Sequence, residues 1–264
     1  MKIFEYNNRH VNDKSEDLLR FLVKDNNIDE LKNYPKVKQL HITGLKQKDF
    51  DYFVERYADD YDFIYFFKCP LIKDLSKLSK LSNVKYISFY WNNKADRLWD
   101  MSKNKNLKGI FINDMSKLCN LKDIESGASL NEFHISGGMW KNAKIETLRP
   151  IGTLKNLEYL SLINIDILDN DITPLFYLEK LKILRLDERD FDSEIYASLA
   201  VNLEKTECDC FKGYVKNDPY GDGKDVWIVG KKKPRLNPIK DAEKIQKYIC
   251  EFEELKSHYK NKKC

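Results

Sequence analysis

The sequence predicts a repeat solenoid of the α/β class: a curved parallel sheet of about eight short strands with capping helices at both ends. Three observations carry this. A six-residue pattern, apolar at its first, fourth and sixth positions, recurs eight times. Its starts lie 24, 23, 23, 23, 27, 24 and 22 residues apart. The composition, 42% hydrophobic and 33% charged over 264 residues, allows a sizeable core and a soluble surface.

The pattern runs Val37-Leu40-Ile42, Tyr61-Ile64-Phe66, Val84-Ile87-Phe89, Leu107-Ile110-Ile112, Leu130-Phe133-Ile135, Leu157-Leu160-Leu162, Leu181-Leu184-Leu186 and Leu203-Thr206-Cys208. Of 24 such slots, Thr206 alone is polar, where about ten apolar residues would fall by chance at this composition. Positions four and six are two residues apart, so both point to one side of a strand. One unit cannot bury that side alone. Stacked units make a parallel sheet with a continuous core.

The segments YDFIYFFKCPL (61–71), VKYISFYWN (84–92) and LKNLEYLSLINIDI (154–167) resemble the leucine-rich-repeat family, and LSKLSKLSNVKYISF and IGTLKNLEYLSL resemble bacterial repeats of the internalin type. The resemblance covers roughly residues 37–211. The family's Asn/Cys slot at position nine matches at Cys69 and Asn92 alone, and the repeat from 130 is long. The resemblance implies a non-catalytic binding scaffold.

Residues 1–36 read as the first cap. MKIFEY alternates like a strand, and Ser15 opens a short helix through Leu18, Leu19 and Leu22. Asn27-Ile-Asp-Glu30 reads as a capping box for another helical turn. Between repeats one and two, Phe50, Phe53, Val54 and Tyr57 have helical spacing. The other returns are long enough for a helical turn or two. Residues 212–264 read as the second cap: a strand at DVWIV (225–229) after a DPYGDG turn, then a helix N-capped by Asn237 with Pro238 at its first position. Its stripe is Ile239, Ala242, Ile245, Tyr248, Ile249, Phe252 and Leu255.

Positions three, five and seven of each repeat should face solvent on the concave sheet. In repeats two to four, six of these nine are aromatic: Phe63, Tyr65, Phe67, Tyr86, Tyr90 and Phe111. Trp91 stands on the rim. His134 and Tyr159 follow in repeats five and six, and Arg185 and Asp187 open a charged end. Contiguous exposed aromatic surface marks a binding site, and Tyr and Trp are common anchors. Three alternatives compete with an open face. The returns or first cap could cover it, a one-residue register error would invert it, or two copies could pair through it.

Other chemistry finds little support. The formal charge of +4 argues against a dedicated nucleic-acid binder. HExxH, GxSxG, Walker and GxGxxG motifs are missing from the sequence, so no cofactor, metal or catalytic residue is assigned. Ser136-Gly-Gly reads as a loop, and Lys231-Lys-Lys-Pro-Arg235 as a solvated turn. The six cysteines read as reduced thiols, with Cys208 and Cys210 alternating inside and outside on a strand. The opening MKIFEYNNRHVNDKSEDLL lacks a signal-peptide apolar run, and no stretch is long enough to span a membrane. The expectation is a cytoplasmic bacterial protein that recognises another protein, as an adaptor or toxin-immunity protein does. Carbohydrate or small-ligand binding by the same aromatics is the alternative, and an enzyme the third.

Overall fold

The structure, a computed structural model, describes residues 17–24, 26–217 and 221–263. The strands are β1 (Leu18–Leu22), β2 (Gln39–Thr43), β3 (Phe63–Phe67), β4 (Tyr86–Tyr90), β5 (Gly109–Asn113), β6 (Glu132–Ser136), β7 (Ala143–Ile145), β8 (Tyr159–Ile163), β9 (Ile165–Ile167), β10 (Ile183–Leu186), β11 (Tyr214–Lys216), β12 (Val226–Ile228) and β13 (Arg235–Leu236). Eight of them form one sheet in the order β1-β2-β3-β4-β5-β6-β8-β10. The α-helices longer than one turn among the described residues are α1 (Gln47–Arg56), α2 (Ser193–Asn202) and α3 (Ala242–Lys263).

The repeat pattern dictates the core. Leu40, Ile64, Ile87, Ile110, Phe133, Leu160 and Leu184 at position four are fully buried, and the residues two further on are buried beside them. Each such side chain contributes about 1.5–3 kcal/mol on burial. Thr206 is tolerated because its hydroxyl donates to the Leu181 carbonyl at 2.8 Å. Two compact units are present. Described residues up to Leu160, with Asn164–Lys180, form the first; Ser161–Ile163 and Leu181 onward form the second.

In the first unit, β1 to β6 pair in parallel and in one register, so that Phe63 faces Tyr86, Tyr86 faces Gly109 and Gly109 faces Glu132. The helix α1 buries Phe50, Phe53 and Val54, as its spacing predicts. Later returns shrink to single 3₁₀ turns at Ser76–Lys80, Lys122–Ser126 and Thr173–Tyr177. Buried Asn104 ties three stretches together. It accepts from the Trp99 indole at 2.9 Å and donates to the carbonyls of Leu78 and Leu81 at 2.9 and 2.6 Å. A small parallel pair, β7 with β9, was not foreseen.

The N-terminal expectation needs correction. Leu18–Leu22 is a strand, not a helix, because its backbone pairs with β2 along its whole length and completes the eight-stranded sheet. The capping box does not form either. The Asn27 side chain instead bridges the Lys24 amide and the Leu22 carbonyl, and a 3₁₀ turn follows at Ile28–Asn33. The MKIFEY strand and the Ser15 helix start lie outside the described residues.

In the second unit, the return after β10 is a ten-residue helix, α2, longer than its spacing suggested, and it buries Tyr196, Ala197, Leu199, Ala200 and Val201. The eighth repeat supplies no strand, only a parallel bridge from Ile183 to Glu207. The chain then enters a 3₁₀ turn at Asp209–Lys212. Both Cys208 and Cys210 are buried instead of alternating, because residues two apart in extended chain share one side and the turn keeps Cys210 on the inside. The antiparallel sheet β11-β12-β13 follows. Val226, Ile228 and Leu236 pack there with Ile245 and Tyr248 of α3. α3 begins at Ala242, four residues later than expected. The Asn237 side chain is spent on the amides of Ile239 and Lys240 in a turn, which leaves Ile239 exposed.

Candidate recognition surface

The outward residues of β2 to β6 form three rows across the sheet, set by the register. The first runs Gln39, Phe63, Tyr86, Gly109, Glu132. The second runs His41, Tyr65, Ser88, Phe111, His134, and the third Thr43, Phe67, Tyr90, Asn113, Ser136. Small residues let large neighbours lean. The Tyr86 ring lies where a Cβ on Gly109 would sit, 2.7 Å away, and its hydroxyl reaches the Glu132 carboxylate at 3.5 Å. Phe67 stacks on Tyr90 at 5.2 Å. Burial holds the His134 imidazole neutral, its pKa pushed down to about 3.

The side-chain parity is as read from the sequence, but the middle of the face is shut. Phe63 is 1% exposed and Tyr65 7%, with Leu18, Phe67, Tyr86, Tyr90 and Phe111 packed around them. Rings on rungs about 4.8 Å apart shield one another. His134 and Tyr159 are buried as well. Phe67, Tyr86, Tyr90 and Phe111 are half-buried, and Trp91 is exposed. Arg185 and Asp187 belong to the second unit, where Arg185 pairs with Glu207 and Asp209 at 3.4 and 3.3 Å.

The reachable aromatic surface lies at the C-terminal ends of the strands. The residue that follows each of β2, β3, β4, β5 and β8 has positive φ: Gly44, Lys68, Trp91, Asp114 and Asn164. The amides of Lys68, Trp91 and Asp114 extend the ladder to Tyr90, Asn113 and Ser136 carbonyls. The Lys68 ammonium sits over the Phe67 ring at 5.2 Å and the Trp91 ring at 5.6 Å.

Two residues that the sequence reading passed over stand further out. Met139 and Trp140 are 84% and 93% exposed at the tip of a hairpin closed by the Gly138–Lys141 bridge. The hairpin leaves the C-terminal end of β6, and Gly138 lies against the Asp114 carboxylate, 3.0 Å from its Cβ position. The 27-residue repeat was the available signal, since insertions in a solenoid loop outward, often on the binding side. Gly137 is required at the hairpin base: a Cβ there would meet the Asn164 and Lys141 carbonyl oxygens at 2.5 and 2.6 Å.

Among the described residues, no three His, Cys, Asp or Glu side chains stand close enough to hold a metal. No described helix is long and apolar enough to cross a membrane. A cleft of about 430 Å³ in the second unit is lined by charges of both signs, among them Lys231, Lys233, Glu251 and Glu254.

No family model matches the chain, and no curated protein does. Solved structures do. A leucine-rich-repeat protein of Leptospira interrogans is 20% identical with a TM-score of 0.50, covering 68% of this chain and 44% of its own. The fold is the leucine-rich-repeat fold. An internalin of Listeria monocytogenes is also 20% identical, with a TM-score of 0.47, covering 67% of this chain and 48% of its own. The matched region of this chain spans less than half the length of either.

Proposed function

We propose that this protein is a non-catalytic recognition scaffold that binds another protein through the aromatic edge at the strand C-terminal ends. The observation that carries this is the exposed Met139–Trp140 tip, on the same edge as Trp91. Trp anchors dominate protein interfaces, and Met is enriched in them. Phe67, Tyr90 and Phe111 support the anchors from the half-buried row behind. The buried Phe63, Tyr65, His134 and Tyr159, with half-buried Tyr86, then act as the rigid floor that fixes the edge, which keeps the ordering cost of binding low. Residues 37–211 carry the recognition repeats between caps at 1–36 and 212–264, in a cytoplasmic bacterial setting.

The test is affinity capture from source cells with wild type and a Trp91→Ala/Trp140→Ala variant, followed by calorimetry with the purified captured protein. Loss of two anchors weakens binding by about 100-fold or more. Equal affinity for both proteins refutes the reading.

A further inference from the structure

The strand C-terminal edge carries one lysine on each of five consecutive rungs, in the loops that follow β2 to β6: Lys46, Lys68, Lys94, Lys117 and Lys141. All five are exposed. None is in an ion pair with a described residue. At the other ends of the same strands two cations are engaged, Lys85 with Asp62 at 2.9 Å and Lys38 with the Asp60 carbonyl at 3.0 Å, while Lys36 and Lys108 are exposed. The carboxylates nearest the lysine edge in the chain are Asp49, Asp96 and Asp114. Asp96 acts on Arg97, and Asp114 is half-buried beside Gly138. These loops therefore present five exposed lysines outside ion pairs, against the three carboxylates of Asp49, Asp96 and Asp114, with Trp91 among them and Met139–Trp140 beside the last.

We propose that this edge docks an acidic, extended segment of a partner protein. The inference rests on the protein-recognition reading and names the chemistry of the partner. Rungs about 4.8 Å apart spread the five loops over about 19 Å, the reach of roughly six extended residues. Carboxylates along such a segment meet the lysines, and apolar side chains between them meet Trp91 and Trp140. The point charges are lysines throughout. The formal charge of the whole chain is only +4, a weak surplus that favours an acidic protein segment over nucleic acid. Lysines at an interface rim steer the encounter and make it sensitive to salt.

The experiment is fluorescence anisotropy with the full chain and a labelled peptide of about twelve residues in a Glu-Leu-Glu-Gly repeat, against a thymidine oligonucleotide of about the same length. Wild type is compared with Lys94→Glu/Lys117→Glu/Lys141→Glu and with Lys36→Glu/Lys108→Glu, which changes the opposite strand ends. All these lysines are exposed, and circular dichroism checks that each variant folds. The peptide should bind wild type, weaken about tenfold or more in the triple variant and again between about 50 and 500 mM salt, and be unchanged in the double variant. The proposal is overturned if the peptide does not bind, if the triple variant binds like wild type, or if the oligonucleotide binds more tightly. A partner still captured through Trp91 and Trp140 after such a failure leaves the recognition reading standing and removes the acidic chemistry alone.

Discussion

The imidazole of His134 lies flat on the ring of Phe111, with centroids 3.8 Å apart and planes 3° from parallel. The stack closes the second row of the sheet face and takes a titratable ring out of water. Burial pushes the His134 pKa down to about 3 from an ordinary value near 6.5.

Acid should therefore loosen the fold through this residue. A histidine with a folded pKa below its unfolded one binds fewer protons when folded. Its contribution is complete above about pH 6.5 and is lost as pH falls from there toward about 3. Between pH 6.5 and 5, urea titrations of wild type should lose about 1.5 kcal/mol more stability than those of His134→Gln. Parallel curves for the two proteins would contradict the assignment.

Asn104 holds three partners in the core of the first unit, so its truncation orphans three polar groups at once. Asn104→Ala is expected to cost about 3 kcal/mol, read from urea midpoints by the fluorescence of Trp99 and its fellows.

Trp91 adopts φ of 59°, a left-handed conformation that strains a bulky side chain by about 1 kcal/mol. Trp91→Gly removes the ring and the strain together; Trp91→Ala removes the ring and keeps the strain. The glycine variant should be about 1 kcal/mol more stable than the alanine variant, although both lose partner affinity.

Gly137 separates presentation of the tip from its chemistry. Gly137→Ala adds one methyl group against two backbone oxygens and leaves Met139 and Trp140 in place in the sequence. It should cost about 1–3 kcal/mol of stability and weaken partner binding, with chemical denaturation and calorimetry as the measurements.

The periodic half of this molecule could be read from its sequence, and the aperiodic half could not. Ile64, Ile87 and Ile110 repeat at a fixed interval, and stacking forces a fixed interval to the inside. Leu19 and Phe21 pair with Leu40 and Ile42, 21 residues on, but the first slot of that rung holds Glu16, so the pattern is incomplete and the helical spacing of leucines gives way to pairing with β2. The outward parity of Tyr65 and Phe111 follows from the two-residue alternation of a strand. Their shielding does not, because it depends on how rings from five rungs fill the space between them. Trp140 owes its exposure to a repeat that is longer than its neighbours, a signal in spacing and not in residue type. The lysine edge escaped notice because its five members sit at different distances beyond their strands.

The strand β3 meets the buried core with Ile64 and Phe66 on one side and the closed cluster of Phe63 and Tyr65 on the other. Solvent deuterium has no partial route to its amides. The amide hydrogens of Ile64 and Phe66 should therefore be among the slowest to exchange in the first unit, while those of the Met139–Trp140 tip should exchange from the native state.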